Sequence, residues 1–110
     1  MFGDEMEMRL LQHRWGEYMK IVARQLEQSL RRQEVLNPTP FRRGEVWVQF
    51  GIAPDGSVVN MVVTHVSEGM VVESVICERT VREAGPFPPL TPEMQKDENF
   101  RRLTVRVHFL

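Results

Sequence analysis

Few side chains in this chain have the type and spacing that chemistry needs. Its three histidines, His13, His65 and His108, are the only set that suggests a metal. A metal site needs three or four ligands converging on one point. His13 falls in a helical pattern, and the other two fall on strands that the topology argued below keeps apart, so ordinary surface histidines are expected. Cys77 is the lone cysteine. A nucleophilic thiol needs a base and an electropositive setting, whereas Cys77 follows Val75 and Ile76 and precedes Glu78. It is expected to be buried and inert. Asp55 belongs to a turn and Glu73 to a helix start, which makes no acid/base pair. Gly51, Gly56, Gly69 and Gly85 are separate breaks, with no phosphate-cradling spacing among them. No catalytic constellation emerges and no cofactor is implied, so the expectation is a binding or assembly module, not an enzyme.

The elements that position these residues start with residues 44–66. Val46, Val48, Phe50 and Ile52 alternate with Glu45, Trp47, Gln49 and Gly51, which puts one apolar row on one strand face. Trp47 then points away from that row. Pro54, Asp55 and Gly56 turn the chain: proline presets φ and glycine supplies a positive φ, closing a bulged hairpin onto residues 57–66. Near the C-terminus Leu103, Val105, Val107 and Phe109 alternate with Thr104, Arg106 and His108, a third strand.

The composition suits one domain of 110 residues, with 42% hydrophobic residues, 26% charged residues and net charge −1. That charge, with no basic stripe and with Arg31-Arg32, Arg42-Arg43 and Arg101-Arg102 as isolated pairs, argues against a general polyanion binder or nucleic-acid partner. No apolar run reaches the length of a membrane span and the N-terminus has no signal-peptide pattern.

Residues 1–37 read as a long N-terminal helix. Asp4 with Glu7 makes a capping pattern, and Leu11, Trp15, Tyr18, Met19, Val22, Leu26 and Leu30 recur at three- and four-residue steps. Gly16 is a blemish inside it. At 1.5 Å per residue the helix would run about 45 Å, overhanging the sheet with Met6, Met8 and Leu10 exposed to a partner such as a second copy. Pro38, Thr39 and Pro40 then lead into residues 38–110. Residues 70–84 read as a second helix, apolar on more than one side in its first half, with strand as the alternative there. Gly85-Pro86 ends it, and residues 87–92, FPPLTP, must be extended, with Phe87 and Leu90 packed on the core. Residues 93–100 read as a polar loop or one helical turn.

The expected fold is therefore α+β: a three-stranded antiparallel sheet in the order second, first, third, with both helices on one face. The third strand is then an edge, unless residues 86–92 or a second copy cover it.

The string V-x-V-x-F-x-I-A-P-D-G-S-V-V-N (residues 46–60), a helix, G-P-F-P-P-L-T-P (residues 85–92) and a closing alternating strand together resemble the TonB C-terminal domain, with the TolA C-terminal domain as a structural relative. The resemblance covers roughly residues 18–110. It implies a periplasmic domain at the end of an inner-membrane-anchored energy transducer, linked through that anchor to a proton-channel complex. Such a domain binds a short peptide of a TonB-dependent outer-membrane transporter by strand addition. The alternative is a TolA-like envelope assembly or homodimerisation module. Neither an anchor nor a proline-rich spacer is in this chain, which points to an excised domain. Ser67-Glu68-Gly69 stands where the family has Ser-Ser-Gly, and Val75, Ile76 and Cys77 replace its small helix residues. The lack of a second cysteine favours the TonB-like reading over the TolA-like one. The docking strand expected from the sheet order is the third: Leu103, Thr104, Val105, Arg106, Val107, His108 and Phe109.

Overall fold

Alternation in the sequence becomes alternation in burial. In a computed structural model, which describes the backbone of residues 5–8 and residues 15–37 and 41–110 in full, the elements are β1 (Glu5–Met8), α1 (Gly16–Leu36), β2 (Gly44–Ile52), β3 (Val58–Val66), α2 (Val71–Ala84), two 3-10 turns (Met94–Lys96 and Glu98–Arg101) and β4 (Leu103–Phe109). Val46, Val48, Phe50 and Ile52 of β2 are buried, as are Leu103, Val105, Val107 and Phe109 of β4. The residues between them on β4 are half-buried on the opposite face. The sheet is antiparallel in the order β1-β4-β2-β3. The three strands read from the sequence thus take the expected second, first, third order, and a fourth strand is added beside the third.

That added strand corrects the N-terminal reading. Glu5–Met8 is a strand, not the first turns of a helix, and α1 begins at Gly16. The glycine read as a blemish inside the helix is its first residue. Asp4, Leu10, Leu11, His13 and the Pro38–Pro40 connector lie outside the described residues. From Tyr18 on, the apolar stripe is as read: Tyr18, Met19, Val22, Leu26 and Leu30 are buried in one core with the apolar faces of β2 and β4. Complete burial of such side chains removes about 1.5–3 kcal/mol each of unfavourable hydration.

The second helix forms as expected, but its apolar first half is not buried between layers. Val71, Val72 and Val75 are exposed, and Glu73, Ile76, Cys77, Thr80, Val81 and Ala84 face inward. Glu73 faces inward, and its Oε2 accepts the Arg42 backbone N–H at 2.9 Å, which gives a buried carboxylate a hydrogen-bond partner. Helix α2 lies against β2 and β3, and α1 lies against α2. The two helices meet along a polar row at four-residue spacing. Gln25 Nε2 donates to the Ala84 and Pro86 carbonyls, Ser29 Oγ to the Thr80 carbonyl at 2.7 Å, and Gln33 Nε2 to Glu83 at 2.6 Å.

Phe87 and Leu90 are in the core as expected. The polar segment after them forms the two 3-10 turns, and Phe100 within it is buried against Tyr18, ring edge to ring face at 5.6 Å.

Candidate functional site

The hairpin turn of Pro54, Asp55 and Gly56 is a structural joint. Gly56 has φ +91°, and a Cβ built there would sit 1.8 Å from the Phe87 carbonyl oxygen. The close approach is made by hydrogen bonds: Phe87 N–H donates to the Gly56 carbonyl at 2.8 Å and Leu90 N–H to the Pro54 carbonyl at 3.0 Å. The proline-rich bend is thus laid on the turn, and it does not cover β4. The Asp55 carboxylate accepts from the Ser57 hydroxyl at 2.7 Å and its backbone N–H at 3.0 Å. These bonds hold its pKa below the usual carboxylate value.

Cys77 is fully buried in the core cluster. His65 and His108 are on β3 and β4, with β2 between them, and His13 lies outside the described residues. Among the described residues no group of three metal-ligating side chains converges.

What the fold does bring together is a band across the open face of the sheet. Register places His65 opposite Trp47 and Trp47 opposite Arg106. The Trp47 ring is 4.8 Å from the His65 ring, and the Arg106 guanidinium lies 4.3 Å from the indole centroid, within cation–π range. In the next row Glu45 is opposite His108. Its Oε1 lies 2.8 Å from His108 Nδ1, and its Oε2 accepts from Trp47 Nε1 at 3.3 Å. The glutamate orients both rings, and it makes an ion pair when His108 is protonated. The sequence placed Trp47, Arg106 and His108 on this face; the shared bonds through Glu45 depend on cross-strand register, which no local pattern carries.

The outer edge of β4 was expected to be open. Instead β1 is paired on it, antiparallel, with Glu5 opposite His108, Met6 opposite Val107, Glu7 opposite Arg106 and Met8 opposite Val105. Leu103 to Phe109, expected from the sequence to dock a partner, therefore form one strand with β2 on one side and a segment of the same chain on the other. Beyond β1, the other edge of the sheet is β3. It carries two register shifts against β2, and Asn60 has a positive φ of 53°. Such bulges twist an edge away from further pairing. No family model, curated protein or solved structure matches this chain, so the resemblance to the TonB C-terminal domain stands on the residues quoted for it.

Proposed function

We propose that this chain is a TonB-like C-terminal module that binds a short extended peptide of an outer-membrane transporter by strand addition on the outer edge of β4. In this reading it acts in the periplasm as the last part of an anchored energy transducer and has no catalytic role. The observation that carries the docking mode is β1 itself: the β4 edge accepts an extended segment, here the chain's own. Main-chain bonds of this kind supply affinity without sequence preference, and side chains on alternate positions supply discrimination. Thr104, Arg106 and His108 hold those positions on the open face.

Backbone amides alternate in direction along an antiparallel strand. Of Arg106→Pro and Val107→Pro, one therefore removes an amide aimed at β2 and the other an amide aimed outward. The outward one is expected to abolish binding of a transporter-derived peptide in calorimetry while the melting temperature falls by only a few degrees. A folded outward variant that binds as well as the wild type would sink the reading.

A second reading, an assembly module without a transport role, is supported by a different observation. Val62, Val66, Val71, Val72 and Val75 are exposed on β3 and on α2, which packs against it. If these valines join two copies, Val72→Lys with Val75→Lys shifts a dimer to monomer in sedimentation velocity. A monomeric wild type at millimolar concentration rejects it.

A further inference from the structure

The register of β1 carries more than the fact of its docking. Along β4 the residues alternate between buried Val105 and Val107 and half-buried Thr104, Arg106 and His108. The segment opposite reads Glu-Met-Glu-Met, and its backbone register sets each glutamate position across from a basic position of β4 and each methionine position across from a valine position. Directly opposed residues on antiparallel strands are the unit of sheet pairing, favourable for opposite charges and unfavourable for like charges.

The β4 side of this match is set by the rest of the fold. Arg106 is held against the sheet face by Trp47 on its β2 side. Among the described residues no carboxylate lies within ion-pairing distance of it. The one carboxylate in the band, Glu45, is engaged by Trp47 and His108. A strand added on the outer side thus meets a guanidinium and an imidazole two residues apart, with apolar positions between them.

Resting on the strand-addition reading of β4, we infer that this edge selects an extended peptide in which acidic and apolar residues alternate, and that residues 5–8 are a built-in competitor for it. The ligand runs antiparallel to β4, with carboxylates opposite Arg106 and His108 and apolar side chains opposite Val105 and Val107. A trans peptide binds only to the fraction of molecules in which β1 is lifted. Its apparent affinity is lowered by that fraction, about tenfold if β1 is docked in nine molecules of ten.

The test uses the full chain, isotope-labelled, and two synthetic ten-residue peptides with central Glu-Met-Glu-Met or Lys-Met-Lys-Met. The acidic peptide should shift the amides of Leu103–Phe109 and bind at least about fivefold more tightly than the basic one. Of Met6→Pro and Glu7→Pro, the one that removes an amide of β1 aimed at β4 should tighten binding of the acidic peptide about tenfold. Arg106→Glu should reverse the preference, and Arg106→Gln, a milder change should the reversal impair folding, should erase it. Equal binding of both peptides, with the β4 amides moving, would remove charge selection and leave strand addition standing. Unchanged affinity in both proline variants would remove the competitor role. If no peptide moves a β4 amide even in these proline variants, the docking edge and this inference fall together.

Discussion

Two residues set the tolerances of the fold. At Gly56 a side chain faces both a positive φ and a backbone carbonyl that cannot swing away. Gly56→Val is expected to cost about 3 kcal/mol or more, above the roughly 1–3 kcal/mol of backbone strain alone, and urea denaturation measures it. An unchanged midpoint would mean that the bend does not rest on the turn. Tyr18 is the second. Burial pushes its pKa up from 10.0 to about 12, and its hydroxyl donates to the Pro88 carbonyl at 2.7 Å. Between those values the unfolded chain loses the phenolic proton and the native chain keeps it, so stability falls as pH rises through that window. The melting temperature should drop more steeply from pH 10 to pH 12 than in Tyr18→Phe, which has no such proton. Parallel curves for the two proteins would show that the phenol titrates normally.

At the scale of elements, α2 makes the sharpest claim. Its inward side holds Cys77, fully buried, so dithionitrobenzoate should label the thiol only as fast as the domain opens, with the rate following denaturant. Fast stoichiometric labelling in buffer would mean that this side of the helix is accessible. The same helix shows where sequence reading stops. Strands β2 and β4 and the stripe of α1 were legible because one strong period marks each. In α2 the valines at 71, 72 and 75 offered several apolar faces, and the inward one was chosen by what the helix meets: Ser29 on α1 and the backbone of Arg42. Gln25, Ser29 and Gln33 were invisible as a helix–helix seam because polar residues at four-residue spacing read equally as a solvated face. β1 was misread for a related reason. Its Glu-Met-Glu-Met fits a period of two, while Asp4 and Glu7 imitate a helix cap. The vacancy that decides between them lies about a hundred residues away, on β4. For the candidate site, the strand and its outward residues were legible, but its occupancy was not.

For the molecule as a whole, strand edges govern how copies meet. Edge strands are templates for pairing, and proteins blunt them by bulging, charging or covering them. Here one edge, β3, is bulged, and the other is β1, a four-residue strand that hides the seven-residue edge of β4 and is itself too short to be a good template. A subunit with at most one usable edge ends its association at a pair. A subunit with two can add neighbours at both ends, and head-to-tail contacts that fail to close grow into fibres. The four residues of β1 therefore set the valence of the sheet. Chains carrying Met6→Pro or Glu7→Pro, whichever removes an amide aimed at β4, should stay folded yet scatter more light on long incubation at high concentration, and seeds of that material should recruit more of the variant but little wild type. Equal, low scattering from both proteins would show that the bulges of β3 alone are enough to stop growth.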